Sequence, residues 1–154
     1  MAIHTERRHL AFTPEQLFGL VADVERYPEF LPWCLGARVL ERRGNVMTAD
    51  LVIGFKLIRE RFRSRVELAE PERIDVTFIS GPLKRLENQW LFSPRAGGGT
   101  VVDFYIDYEF RSRLLQSLIG ALFADATHRM VGAFEARAAA LYRAPGDPAI
   151  GAVA

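Results

Sequence analysis

The stretch that decides the fold covers residues 100–110, TVVDFYIDYEF, and leads almost directly into a segment of about thirty residues, 113–142. In the first stretch apolar side chains alternate with Asp103, Asp107 and Glu109, which is the period of a strand with one buried face. In the second, apolar residues recur at intervals of three and four, which predicts an amphipathic helix. At ~1.5 Å per residue this helix is roughly 45 Å long, enough to cross a whole sheet diagonally.

Upstream of this stretch, the same two-residue alternation recurs between turn signals such as Gly44-Asn45 and Gly81-Pro82. The predicted strands cover residues 3–12, 37–43, 46–55, 58–68, 73–80 and 86–92. An antiparallel sheet with one apolar face needs a cover, and the long helix supplies it.

Two short helices are predicted after the first strand. Thr13 and Pro14 have the residue types of a helix N-cap and first turn, and Pro28 and Pro32 bracket one further helical turn. The order therefore predicts an α+β fold in which a curved antiparallel sheet of six to seven strands wraps around a long C-terminal helix. Such a hemibarrel leaves a space between sheet and helix unless large side chains fill it.

The length of 154 residues predicts one domain, residues 1–143, followed by a flexible tail over residues 144–154. Charged residues make up 25% of the chain, which excludes disorder, and no apolar run approaches the length of a membrane-spanning helix. Because residues 1–10 are charged and lack an apolar secretion signal, we expect a cytoplasmic protein that is peripheral to the inner membrane at most. The net charge of +1 predicts no general affinity for DNA.

Signals of catalysis are weak. His4, His9 and His128 show no metal-binding spacing, and Cys34, the single cysteine, has no basic partner near it in sequence. The glycines at 97–99 precede a strand, so they predict a hairpin turn and not a phosphate-binding loop. We therefore expect no catalytic residue, no metal and no cofactor, with Cys34 as a small buried side chain.

Glu60 and Asn88 fall on the apolar face of their strands by parity. A buried carboxylate is costly unless it is paired, and in one interpretation both residues give polar contacts to a ligand head group. Two other interpretations remain open. A strand bulge turns Glu60 out to solvent, or the two side chains bond each other.

Four arginines, Arg59, Arg61, Arg63 and Arg65, share the opposite face of one strand. Like charges at this spacing repel, so neighbouring strands must offer carboxylates, and Asp50, Glu67 and Asp75 are available. The face is then either a solvated, partly paired surface or a site for an anionic partner, namely phospholipid head groups or ribosomal RNA.

The segment 27–35 has a high density of large apolar side chains for a short turn. Together with the loop that contains Leu83, it predicts a cavity mouth that touches the bilayer. In the alternative, Phe30 and Trp33 plug the end of the hemibarrel. The predicted mouth residues are Tyr27, Phe30, Leu31, Trp33 and Leu83.

The run Tyr27 to Cys34, YPEFLPWC, resembles the signature of the coenzyme Q-binding and ribosome-association-toxin family, within the START-like polyketide cyclase superfamily of helix-grip folds. Residues 62–66, 81–92 and 102–110 are also similar to that family's pattern. One departure is Leu83, where family members often carry Phe.

This resemblance implies a non-enzymatic protein that binds ubiquinone and delivers it to respiratory or biosynthetic sites. The other branch of the family implies a toxin that binds the large ribosomal subunit, blocks subunit association and has an antitoxin partner. A third possibility, a cyclase or aromatase, requires an acid–base pair that Glu60 and Asn88 only weakly supply. The expected ligand-binding residues are Leu51, Ile53, Glu60, Phe62, Val66, Phe78, Asn88, Trp90, Phe104, Ile106, Tyr108, Leu118, Leu122, Phe123 and Met130.

Overall fold

The computed structural model describes residues 2–55 and 57–142, with the side chain of Phe55 left out; the predicted tail at 144–154 lies outside the described residues. The elements in chain order are β1 (Ala2–Leu10), α1 (Pro14–Ala22), a 3-10 helix (Val24–Glu29), β2 (Cys34–Arg43), β3 (Val46–Phe55), β4 (Ile58–Ala69), β5 (Arg73–Ser80), β6 (Leu83–Pro94), β7 (Thr100–Phe110) and α2 (Arg113–Leu141).

The seven strands form one antiparallel sheet in the order β1-β7-β6-β5-β4-β3-β2. Every neighbouring pair except β1 and β7 is consecutive in sequence, so the sheet is a meander closed on one side by the N-terminal strand. The predicted α+β class, with a curved sheet, two short helices and one long helix, is confirmed. One register shift separates Arg63 from Ser64 in the β4–β5 pairing.

Local sequence signals set the start of α1. The side chain of Thr13 accepts a hydrogen bond from the backbone N–H of Gln16, and the Gln16 side chain accepts one from the backbone N–H of Thr13. This capping box satisfies two donors that a helix start otherwise leaves unpaired. Pro14 occupies the first turn as predicted.

Helix α2 covers the concave face of the sheet with one side only. Its buried residues recur every three or four positions: Ile119, Phe123, Ala126, Thr127, Val131, Phe134 and Ala138. Phe123 stacks on Phe62 with ring centroids 5.3 Å apart, and Phe134 meets Trp90 edge-on at 5.2 Å. Each such aromatic pair contributes about 0.5–1.5 kcal/mol beyond its buried area.

The antiparallel order gathers the chain reversals at two ends of the sheet. We call one of them the β3–β4 end. It contains the starts of β1 and β2, the β3–β4 and β5–β6 turns and the junction between β7 and α2. The backbone N–H of Arg111 donates to the carbonyl of Pro82 at 3.0 Å, which joins the β7–α2 junction to the β5–β6 turn.

At the opposite end, Gly99 closes the β6–β7 hairpin against β1. Its φ of +84° is in the left-handed region, and a Cβ at this position would overlap the backbone oxygen of Leu10. Gly97 has a φ of +90° but open space around it. We expect Gly99→Ala to lower the free energy of unfolding by about 2–3 kcal/mol, and Gly97→Ala by only about 1 kcal/mol from its φ alone. Urea denaturation measures both, and equal losses would contradict the steric argument.

Candidate functional site

A central cavity of about 90 Å³ lies between the sheet and the helices. Its walls come from α1, the 3-10 helix, four adjacent strands and α2, so the cavity exists only in the assembled fold. The lining residues are Val21, Val24, Tyr27, Ala49, Leu51, Ser64, Val66, Ile74, Val76, Asn88, Trp90, Met130 and Phe134.

Two polar side chains with spare hydrogen-bonding capacity reach this apolar cavity. Asn88 donates one Nδ2 hydrogen to the carbonyl of Tyr105 at 2.8 Å, which leaves a second N–H and the Oδ1 acceptor. Among the described residues, no protein group bonds the Ser64 hydroxyl. The Tyr27 hydroxyl is already committed, because it donates to the carbonyl of Val21. Burial raises the pKa of Tyr27 further above its ordinary value, so this phenol stays neutral.

The cavity is small for a ligand site, since pockets that hold drug-sized molecules have volumes of about 300–1,000 Å³. Aromatic side chains fill most of the space between the sheet and α2, so little free volume remains. Met130 and Phe134 form the helix side of the cavity. A ring-sized ligand therefore requires these two side chains to move, and methionine is the side chain best suited to repacking.

The structure divides the predicted ligand-binding residues into groups. Leu51, Val66, Asn88, Trp90 and Met130 line the central cavity. A second void of about 10 Å³ is lined by Ile53, Glu60, Phe62, Leu122 and Phe123, together with Ile119. Four more residues belong to the packed core or its edge: Phe78, Phe104, Ile106 and Tyr108.

Leu118 does not line the cavity, contrary to the prediction. Its side chain is 53% exposed. Its neighbour Ile119 is the buried residue of that turn, because the face of α2 that meets the sheet runs through Ile119, Phe123 and Ala126.

Glu60 points inward. It pairs in register with Ile53, and the register shift lies further along β4, between Arg63 and Ser64. Glu60 reaches the smaller void while Asn88 reaches the central cavity and bonds Tyr105. Neither of the two alternatives, a bulge at Glu60 or a bond between Glu60 and Asn88, is present among the described residues.

The residues predicted to form a cavity mouth that touches the bilayer are largely buried, so this prediction is wrong for most of them. Leu31 is 1% exposed, Leu83 2% and Trp33 8%, and Tyr27 is also buried. Phe30 is half-buried and packs edge-on against Phe134 with ring centroids 5.0 Å apart. The segment therefore plugs the hemibarrel, because its aromatic rings find partners on α2.

Several residues that line the central cavity were not predicted. Ser64 falls on the inner face of β4 by the same parity that identified Phe62 and Val66, so the pattern could have revealed it. Strand parity cannot identify Val21 and Val24, because they lie on the short helices. Which side of a short helix faces a cavity depends on how the helix docks, and that is a tertiary property.

The arginine row on β4 is only partly neutralised. Arg63 forms two hydrogen bonds with Asp50, at 2.8 and 3.1 Å, and this interaction holds the pKa of the Asp50 carboxyl below its usual value. Arg65 lies 3.9 Å from Glu67. For Arg59 and Arg61, the described residues offer no carboxylate within 4.0 Å.

Asp75 does not pair with the arginines of β4, although it was predicted to be available to them. It accepts from Arg73 at 2.8 Å and from Gln89 at 2.9 Å. Its partners are on β5 and β6, because the register places them nearer than the β4 arginines.

Two of the histidines and the cysteine pack against other parts of the fold. His4 stacks on His128 with ring centroids 4.1 Å apart, which joins β1 to α2. Cys34 is buried, and burial raises the pKa of its thiol to about 11, so it is a poor nucleophile at neutral pH. Within the described ranges, no three metal-ligating side chains come together, and no helix has both the length and the apolarity to cross a membrane.

The fold and cavity define a class of small domains in which a curved sheet grips one helix, and comparison with known proteins agrees. The chain belongs to the family described as polyketide cyclase / dehydrase and lipid transport, whose model matches residues 10–135. It superposes on an aromatase/cyclase, Zhui, from Streptomyces with a TM-score of 0.81, over 94% of this chain and 98% of that one. At 15% identity that similarity concerns the fold alone.

Two curated relatives carry different functional names. A ribosome association toxin, RatA, from Rickettsia prowazekii is 39% identical over 84% of this chain and 90% of its own length. A mitochondrial coenzyme Q-binding protein, COQ10 homolog B, from Xenopus laevis is 34% identical over 90% of this chain, which spans 59% of that protein. These relatives are named as a toxin and a binding protein, while the family also includes cyclases.

The Asp50–Arg63 pair predicts a contribution to stability at neutral pH. A depressed carboxyl pKa stabilises the folded state above the unfolded pKa of about 3.9, and this contribution is lost as the pH falls through the folded value. We expect Asp50→Asn to lower the urea midpoint at pH 7 and to reduce the further loss on acidification. Equal acid sensitivity of both proteins would contradict this assignment. Glu87→Gln, on an exposed side chain, is the control.

Proposed function

We propose that this protein binds an isoprenoid quinone of the ubiquinone type in the central cavity and carries it without chemical turnover. The observation that supports the proposal is an apolar cavity whose wall offers two hydrogen-bond donors, Ser64 and Asn88. The same family contains a protein named for coenzyme Q binding. The carrier acts in the cytoplasm and meets the inner membrane only transiently.

The chemistry of a quinone suits this wall. A benzoquinone head presents carbonyl oxygens, which accept hydrogen bonds and carry no charge. The hydroxyl of Ser64 and the second N–H of Asn88 are donors, so each can satisfy one acceptor. Two strand positions separate these residues across the sheet, because Ser64 is opposite Phe78 and Asn88 is opposite Val76 on β5.

The remaining walls suit an isoprenoid tail. Trp90, Val66 and Met130 present apolar surface to the cavity, and the smaller void continues the apolar interior toward the β3–β4 end. Quinone binding enlarges the cavity by moving Met130 and Phe134, so α2 shifts outward from the sheet. A carrier needs such a reversible opening, since a permanently open apolar cavity would expose its walls to water.

Filling the cavity tests the proposal directly. Ala49→Leu adds three carbons to a buried side chain in the cavity wall, and Ala139→Leu makes the same change on an exposed side of α2. We expect the wild type and Ala139→Leu to co-purify with quinone from a quinone-producing host, and Ala49→Leu to lose it. Organic extraction followed by mass spectrometry gives the measurement, with thermal unfolding to check that both variants fold.

The Ser64 donor is tested by titration with a short-tailed ubiquinone. Tryptophan fluorescence reports binding, because Trp90 lines the cavity. Loss of one neutral hydrogen bond worth about 0.5–1.5 kcal/mol predicts a Kd about three- to tenfold weaker for Ser64→Ala. Ser117→Ala, exposed on α2, is the matched control. Wild-type protein that extracts with neither quinone nor other lipid near stoichiometric level would overturn the carrier proposal.

A ribosome-directed toxin is the second candidate, and one observation favours it. Arg59 and Arg61 are exposed on the convex face without a carboxylate partner among the described residues, and relatives at 35–39% identity are named ribosome association toxins. Unpaired guanidinium groups bind RNA phosphates. In this proposal the convex face contacts the large ribosomal subunit, and an antitoxin partner restrains it.

The toxin candidate predicts growth arrest on overexpression and fewer joined ribosomal subunits in sucrose gradients. Replacing Arg59 and Arg61 with Gln should relieve both effects. The control replaces Arg42 and Arg95 with Gln, since both are exposed but stand at the opposite end of the sheet. Arrest that persists in both double variants would contradict a role for this face.

A further inference from the structure

The large apolar side chains that are exposed concentrate at the β3–β4 end. Eight such residues are found among those described, and six belong to this end. Leu57, at the β3–β4 turn, is 99% exposed, and Leu114 and Leu118, at the start of α2, are 69% and 53% exposed. The other three are Ile3, Leu35 and Ile79.

The segments that carry these side chains are connected by direct contacts. The start of β2 touches the end of β3, where a Cβ on Gly54 would lie 2.7 Å from the Cδ1 of Leu35. The β5–β6 turn touches β4, since a Cβ on Gly81 would lie 2.7 Å from the carbonyl oxygen of Arg61. The first turns of α2 meet the β3–β4 hairpin around the smaller void. The exposed apolar side chains therefore surround one end of the molecule.

The turn segments at this end carry only positive charge, while Glu60 and Glu109 lie on the adjoining strands. Residues 55–59, 79–82 and 111–118 contain no Asp or Glu. Arg111 and Arg113 are exposed at the junction between β7 and α2, and no carboxylate of the described residues lies within 4.0 Å of either guanidinium. Exposed leucines next to unpaired arginines are the combination that binds an anionic lipid surface.

We propose that the β3–β4 end docks onto the surface of a bilayer containing anionic phospholipid, with Leu57, Leu114 and Leu118 entering the interface and Arg111 and Arg113 contacting lipid phosphates. This inference deepens the proposed function and rests on it, since a quinone carrier must exchange its ligand with a membrane. A polyanion such as RNA would also attract the arginines, but it gives no reason for exposed leucines on the adjoining turns.

The smaller void lies directly behind this surface. Ile53, Phe62, Leu122 and Phe123 are among the residues that line it. Docking at this end therefore brings the bilayer next to the smaller void. Glu60 is the one carboxylate at the void, and it lies on the inner face, away from the proposed lipid contact.

The test is vesicle co-sedimentation of the full chain, with vesicles of phosphatidylcholine alone or with phosphatidylglycerol added. We expect binding to the mixed vesicles. The affinity for the neutral vesicles should be about 25-fold lower, since each of the two arginines contributes about fivefold. Leu57→Ser with Leu114→Ser should weaken binding to the mixed vesicles at least tenfold. Arg111→Gln with Arg113→Gln should remove the preference for phosphatidylglycerol.

Matched controls are available at the other end of the molecule. Leu40→Ser with Leu141→Ser makes the same change at side chains that are 40% and 50% exposed. These substitutions should leave vesicle binding unchanged. Wild-type protein that does not sediment with the mixed vesicles, or leucine variants that bind as the wild type does, would overturn the proposal. Binding of purified ribosomes in place of vesicles, lost in the arginine variants, would overturn it in favour of RNA.

Quinone extraction from the same variants separates this inference from the proposed function. Loss of vesicle binding with quinone still bound supports the docking surface and leaves the carrier proposal intact. Vesicle binding by a protein that never carries quinone supports the surface while rejecting its role in quinone exchange.

Discussion

The structure depends on the contact between one face of α2 and the concave side of the sheet. Phe123 and Phe134 are eleven residues apart, which is about three helical turns, so both rings point toward the strands. Phe123 packs between Phe62 and Tyr108, and Phe134 packs against Trp90. Without this cover, the inner face of a seven-stranded sheet would be exposed to water.

The same contact explains why the interior is nearly full. Aromatic rings from the strands, the 3-10 helix and α2 interlock around Phe134, and the central cavity of about 90 Å³ remains beside them. A chain with 11 Phe residues therefore uses many of them for packing and not for an open pocket. Under the carrier proposal, the size of ligand that fits depends on how far Met130 and Phe134 of α2 can move from the sheet.

The two functions proposed for this protein involve different surfaces of one fold. The cavity and the β3–β4 end offer apolar surface, while the convex face of β4 offers Arg59 and Arg61 to an anionic partner. Because the cavity and the convex face lie on opposite sides of the sheet, the fold does not force a choice between them. The chemistry of each surface has to be measured separately, since fold does not determine function.

Much of the fold could be predicted from periodicity. The alternation in β7, the capping residues Thr13 and Pro14 and the three-to-four spacing in α2 are local properties, and the structure agrees with each of them. Strand parity also placed Glu60 and Asn88 on the inner face. It could not separate the central cavity from the smaller void, because that depends on where α2 crosses the strands.

By itself, the sequence determined the order of elements, the inner face of each strand and the resemblance carried by residues 27–34. Only the tertiary structure decided that Leu31, Trp33 and Leu83 are buried, while Leu57 and Leu118 are exposed. The physical reason is that a side chain's exposure depends on what packs against it from distant parts of the chain. An aromatic-rich turn that finds partners on α2 becomes core, and a leucine on an uncovered turn remains at the surface.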